Sequence, residues 1–182
     1  MKYAKLKKYA LINNLKSRGD EPSGCSGFYM KLPHGVGVKV YTTYRTHRNY
    51  RDVIGNDEWW AASSAIYALR KLAKTKLTPK PYCVAPIKVD GGYFVGLFME
   101  HVEGVNGQDA LNGMSQKRVK STCSKIKKAF KKLAKNGVIH PDQGSHNVVI
   151  KNNGTVKIID FDNATILKDR TKWKTVKPYF CL

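Results

Sequence analysis

Acidic residues are scarce in this chain: 13 aspartates and glutamates stand against 33 lysines and arginines in 182 residues, a formal net charge of +20. Such an excess draws a protein toward polyanions, and the partners it admits are nucleic acid, an anionic membrane face or an acidic protein. Cysteines are few and unpatterned. Cys25, Cys83, Cys123 and Cys181 form no C-x-x-C pair and match no zinc ribbon or disulfide framework. They read as free thiols in a reducing compartment, so a cytoplasmic location is expected. Cys181 is second from the end, which excludes a prenylation box. No run of about 18 apolar residues occurs, so no membrane-spanning helix is expected. The basic start, residues 1–12, has an apolar run too short for a signal peptide. No internal repeat is visible.

What is present is a globular composition. Hydrophobic residues make up 42% of the chain, and this length can bury a core without disulfides. Residues 1–22 read as a basic, partly helical leader, and 21–27 as a turn-rich loop. Strands are expected near 27–31 and 36–41, turning at Pro33-His34-Gly35. Val36, Val38 and Val40 alternate with Gly37, Lys39 and Tyr41, which puts Lys39 on the face opposite the valines. Residues 42–55 are irregular. A helix is expected over 57–74, capped by Asn56 or Asp57, with Trp59, Trp60, Ile66, Leu69 and Leu72 on one broad face. Strands at 82–89 and 93–100 flank Asp90-Gly91-Gly92, a hairpin signal. After a loop with one helical turn at 104–113, Ser115 caps a strongly basic helix to Lys135, ended by Asn136-Gly137. Two short strands, 148–151 and 156–159, enclose the turn Asn152-Asn153-Gly154. Strands dominate the first half and a helix leads the second, so two lobes are expected: 23–102 and 103–182, linked near 100–103.

The chemistry concentrates in His140-Pro141-Asp142-Gln143-Gly144-Ser145-His146-Asn147 and in Ile158-Ile159-Asp160-Phe161-Asp162. A hairpin this short brings its ends together. Asn147 enters it and Asp160 leaves it, so the two should lie side by side. Two oxygen ligands there suit Mg²⁺, a hard cation that takes one or two carboxylates together with phosphate oxygens and waters. Asp142, five residues before Asn147, could accept the proton of an attacking hydroxyl.

These segments resemble the catalytic loop and metal motif of the protein-kinase superfamily, H-R-D-L-x-x-x-N followed by D-F-G. His140, Asp142 and Asn147 fall on the first pattern. Asp160 and Phe161 fall on the second, 18 residues after Asp142. The resemblance implies an α+β, two-lobed kinase-like fold with a β-rich N-lobe and a truncated helical C-lobe. It implies that Asp142 orients or deprotonates the acceptor, and that Asn147 and Asp160 bind Mg²⁺. Val38-Lys39-Val40-Tyr41 resembles the kinase V-A-I-K strand, and Glu58 follows 19 residues after Lys39 as its helix partner, which implies a pair that grips the ATP phosphates. Phe98 to Gly104 resembles the hinge: Met99 would be the gatekeeper, and the Glu100 carbonyl and Val102 amide would face the purine. Gly24 and Gly27 stand where the phosphate loop is expected, as G-x-x-G in place of G-x-G-x-x-G.

There are departures. Pro141 replaces the loop arginine, and Gly144 stands where protein kinases carry a lysine, leaving His146 or Lys151 to compensate. Asp162 takes the third D-F-G position. Only 20 residues follow it, with no A-P-E motif. Small bacterial and phage kinases, RIO-type kinases and lipopolysaccharide sugar kinases are similarly reduced. The expected activity is ATP- and Mg²⁺-dependent phosphoryl transfer to a protein serine or threonine. The alternatives are transfer to a lipopolysaccharide sugar at an anionic membrane face, and a pseudokinase that serves as a basic binding protein.

Overall fold

A computed structural model of the chain describes residues 14–15, 23–24, 27–42 and 57–168. Most of the basic leader, Cys25, 43–55, Asn56 and the tail from 169, including Cys181, lie outside these residues. The chain divides into two compact units, 1–66 with 81–101 and 67–80 with 102–182.

The first unit is built on a six-stranded sheet. Its strands are β1 (Asn14–Leu15), β2 (Ser23–Gly24), β3 (Gly27–Leu32), β4 (Val36–Tyr41), β5 (Pro81–Val89) and β6 (Gly92–Glu100), in the order β1-β5-β6-β4-β3-β2. All pairings are antiparallel except β1 with β5. Asn14 and Leu15, the described part of the leader, extend the sheet edge, and the Leu15 carbonyl accepts from the Asp90 N–H at 2.9 Å. The β5–β6 turn is Asp90-Gly91, with φ of 45° and 90°. Two left-handed residues match the strand twist in a two-residue hairpin.

Period two sorts β4 cleanly. Val36, Val38 and Val40 are buried in a cluster with Met30, Leu32, Ile87, Val89 and Phe98. The opposite face carries Gly37, Lys39 and Tyr41. Lys39 is cross-strand from Tyr29 on one side and Leu97 on the other, and Gly37 is cross-strand from Met99.

Helix α1 (Asp57–Leu72) follows, continued by a 3-10 turn at Ala73–Thr75. Ile66, Leu69 and Leu72 are buried as expected, with Glu58, Ala62, Ala65 and Ala68. Trp60 is not on that face: it is 64% exposed. The buried stripe runs through 58, 62, 65, 69 and 72, and at 100° per residue position 60 falls on the far side.

The second unit holds β7 (Val105–Asn106), α2 (Gly107–Asn112), α3 (Gln116–Lys135), β8 (Val138–Ile139), β9 (Val148–Ile150), β10 (Val156–Ile158) and β11 (Thr165–Ile166). The helical turn expected within 104–113 is α2, preceded by the two-residue strand β7. β7 joins the β9 edge to give the order β10-β9-β7, while β8 pairs with β11. Helix α3 buries Cys123, Ile126, Ala129, Phe130 and Leu133 and packs on β8 and β10. Its other half carries nine lysines and arginines and no acid. The 77–80 segment is tied to β10: Ile158 N–H donates to the Leu77 carbonyl at 2.7 Å, and Lys157 Nζ to the Thr78 carbonyl at 2.8 Å.

Candidate active site

The second unit's site is a loop hung between β8 and β9. Its carboxylate, Asp142, is fixed almost entirely by residues two to five positions downstream. His146 Nε2 lies 2.7 Å from Asp142 Oδ2, and Asn147 Nδ2 donates to the same oxygen at 2.7 Å and to the Asp142 carbonyl at 3.1 Å. The 3-10 turn Ser145–Asn147 delivers both donors. Partial burial acts to raise the Asp142 carboxyl, but the hydrogen bond and charge of His146 and the bonds from Asn147 and the Gly144 amide outweigh it and hold the carboxyl below its ordinary value.

Asn147 is buried, and its amide nitrogen is committed to Asp142, leaving Oδ1 as the oxygen able to meet a cation. The hairpin ladder extends one step past β9 and β10: Ile159 N–H donates to the Asn147 carbonyl at 2.9 Å. Asp160 is the next residue, exposed, with φ of 63°. A left-handed non-glycine residue is uncommon; such strain concentrates at functional sites, and aspartate tolerates it better than most. The hairpin thus sets Asn147 and Asp160 at one end, two oxygen donors of the kind a hard divalent cation takes. Among the described residues no group of three or more His, Cys, Asp or Glu could hold a metal alone, so a cation here would need phosphate oxygens and waters as well.

His140 braces the loop from below. Its Nε2 is 3.0 Å from the Ile159 carbonyl, which can only accept, so Nε2 carries the proton. The ring packs edge-on against Phe130 and Phe161, with centroids 5.5 Å and 5.1 Å away. Burial lowers its pKa, and the Ile159 carbonyl and the charge of Asp160 offset this only in part. His140 therefore stays neutral and ties the loop to the residue before Asp160.

Three contributors are not legible in the motif spacing, two of them because they come from far along the chain. Asn106 caps α2 by accepting from Gln108 N–H at 2.9 Å, and its Nδ2 donates to the His146 carbonyl at 2.8 Å. Gly107 lies so close to the turn that a Cβ there would sit 2.5 Å from the Ser145 carbonyl oxygen. At Gly144 a Cβ would run into the imidazole of His146. The glycine that takes the place of the kinase lysine is thus the floor on which His146 rests while it holds Asp142.

In the first unit, Lys39 lies over the Tyr41 ring, with Nζ 5.3 Å from the centroid. Glu58 is buried in the first turn of α1, where a carboxylate requires compensating charge or donors. Met99 is buried near the end of β6, and the first unit closes at His101, whose N–H donates to the Gly35 carbonyl at 2.8 Å. Gly24 and Gly27 are paired across a two-residue connection. Gly27 has φ of 141°, and a Cβ there would collide with the Val40 carbonyl, so strand packing alone requires its glycine. Val102 opens the continuous part of the second unit, 102–182.

The family model of the protein kinase domain matches residues 84–180, more than half of the chain. The chain belongs to the protein kinase domain family. Met99, Glu100, Val102, Asp142, Asn147 and Asp160 all fall within the matched region, whereas Gly24, Gly27, Lys39 and Glu58 precede it. Two curated relatives, 3-deoxy-D-manno-octulosonic acid kinases from two strains of Xanthomonas oryzae pv. oryzae, are each 28% identical over 112 residues. The alignment takes in 58% of this chain and 42% of each relative, so the chain spans less than half the length of the curated relatives it matches. Kinase family and relatives alike are phosphotransferases. No helix among the described residues is long and apolar enough to cross a membrane.

Proposed function

We propose that this kinase-family chain is an ATP- and Mg²⁺-dependent phosphotransferase acting on a hydroxyl group. The observation that carries the reading is the Asp142 carboxylate, held ionised by Gly144, His146 and Asn147 at the hairpin end where Asn147 pairs with Ile159, the residue before Asp160. A carboxylate with a lowered pKa is a poor base toward a free alcohol. Asp142 would therefore orient the acceptor O–H and take its proton late, as the new oxygen–phosphorus bond forms and the bond between the γ-phosphorus and the β–γ bridging oxygen of ATP breaks. Asn147 and Asp160 would hold Mg²⁺, whose contribution is to neutralise charge on the phosphates. Lys39, steadied by Glu58, would grip the α- and β-phosphates. Gly24 and Gly27 would flank them, and Met99, Glu100 and Val102 would receive the purine.

For the acceptor we favour a sugar hydroxyl, because both named relatives are kinases of a sugar acid. The basic half of α3 suits such an anionic acceptor or an anionic membrane face; Lys117, Arg118, Lys120, Lys128, Lys131 and Lys132 are all exposed on it. A protein serine or threonine is the second reading, supported by the protein-kinase family model. The test is incubation with labelled ATP, Mg²⁺ and either 3-deoxy-D-manno-octulosonic acid glycolipid or a protein extract, with Asp160→Ala as control. Label in the glycolipid alone supports the first reading and label in protein alone the second. Equal label from wild type and Asp160→Ala would defeat both.

A further inference from the structure

The face of the first unit's sheet that bears Lys39 also bears a feature that the proposed reaction does not use. Tyr29 is cross-strand from Lys39, and Gly37 is cross-strand from Met99, so Tyr29, Gly37, Lys39, Leu97 and Met99 share one face. The Tyr29 side chain crosses the strand pair diagonally and lies in the space a side chain at Gly37 would take; a Cβ there would fall into the phenol. The hydroxyl ends 3.0 Å from His101 Nδ1, and the two rings stack with centroids 5.9 Å apart and planes 26° from parallel. His101 is itself pinned by its N–H to the Gly35 carbonyl. Burial first, and the charge of Glu100 second, push the phenol up, so it keeps its proton throughout the range in which a kinase would work.

We infer that the Tyr29 ring, seated on Gly37 and locked to His101, is an aromatic ceiling against which the nucleotide base stacks. The inference rests on the reading of Met99, Glu100 and Val102 as the purine-binding segment, since the ring spans the same end of the same face. The opposite possibility is a plug that ATP must push aside. Moving the ring would sacrifice a hydrogen bond, an aromatic pair and a buried surface together, and one stacked base does not return that much. Stacking on the ring leaves all three contacts intact and uses a surface already held rigid, so binding does not have to order this side chain. Gly37 belongs to the same device: only a residue without a side chain lets the ring lie against the strand.

The experiment is calorimetric titration of the full chain with ATP and, separately, with inorganic tripolyphosphate, which keeps the phosphates and lacks the base. Tyr29→Ala is expected to weaken ATP binding by about 10- to 100-fold, the range for loss of one base–aromatic stack, while tripolyphosphate binding stays as in wild type. Tyr29→Phe keeps the ring and should lose no more than a few-fold. Gly37→Ala should weaken ATP in the same direction by driving the ring off its seat, and should have no further effect in a Tyr29→Ala background. ATP binding that tightens or is unchanged in Tyr29→Ala overturns the ceiling and leaves the phosphotransferase reading standing. A wild-type chain that binds tripolyphosphate and ATP equally well overturns it too, because no base contact then exists. A wild type that binds neither removes the phosphotransferase reading and the ceiling with it.

Discussion

Replacing Asn147 by alanine removes the clamp on Asp142, and its cost can be worked from the site. The side chain is 6% exposed and donates twice, to a charged oxygen at 2.7 Å and to a carbonyl at 3.1 Å. A hydrogen bond to a charged group contributes about 1.5–3 kcal/mol and a neutral one about 0.5–1.5. The Asp142 side chain is 57% exposed, so water replaces part of what is lost, and the lower end applies. We expect Asn147→Ala to cost about 2 kcal/mol, a large share of the stability of an ordinary domain but not all of it. Urea denaturation should show a lower midpoint at an unchanged slope. In a cycle with Asp142→Ala, the two changes should couple by at least about 1 kcal/mol, as contacting residues do. Asn147→Asp is the sharper variant, since it sets a second carboxylate against Asp142 Oδ2. Like charges raise both carboxyls above their unfolded values, so this variant should gain stability as pH falls through the carboxylate range. Wild type should do the reverse, because Asp142 is lowered and its contribution is lost on protonation. A cost below about 0.5 kcal/mol with no coupling would refute the claim that Asn147 holds the carboxylate.

Further outcomes follow from other contacts. Asp142→Ala should abolish phosphoryl transfer while ATP affinity by calorimetry stays nearly intact; normal turnover would remove Asp142 from the centre. Burial lowers His140 from 6.5, so below that pH the unfolded chain takes up a proton that the folded chain refuses, and stability must fall with pH; His140→Gln should flatten this slope in urea titrations at pH 5 to 7. Gly107→Ala should push on the Ser145 carbonyl and cost about 1–3 kcal/mol, the range for overpacking a close contact, with loss of activity through the displaced turn. Lys128, Lys131 and Lys132 changed together to glutamine should weaken adsorption to phosphatidylglycerol vesicles on the order of 100-fold at low salt, at about 1 kcal/mol per surface charge, as read by sedimentation.

Local pattern made much of this legible. The alternation of Val36, Val38 and Val40 announced both faces of β4, Asp90-Gly91 announced the β5–β6 turn, and Ile126, Phe130 and Leu133 marked the buried stripe of α3. Those signals are written in neighbouring residues. The pairing of the two hairpin ends was also readable, because a two-strand hairpin is a local geometry: Ile159, the residue before Asp160, bonds to Asn147. What stayed hidden depends on residues far apart in the chain. Asn106 reaches His146 across 40 positions, and Tyr29 reaches His101 across 72. Trp60 misled because bulk and hydropathy favour burial, whereas its position on the helix turns it outward. His146 stood inside the motif, yet nothing in its spacing said that its ring would fold back on Asp142 rather than face a phosphate.

The seat of His146 on Gly144 also bears on how this loop can change over generations. A lysine introduced at 144 would lift the imidazole from Asp142 before contributing anything itself. A change at 146 first would leave the aspartate with Asn147, among the described residues, as the one side-chain donor still 2.7 Å from Oδ2. Either single step disturbs the contact between His146 and Asp142, so a change at 144 or 146 is felt at the other position. The glycine and the histidine are thus best exchanged together, and a lysine at 144 suits a loop whose residue 146 is smaller than histidine.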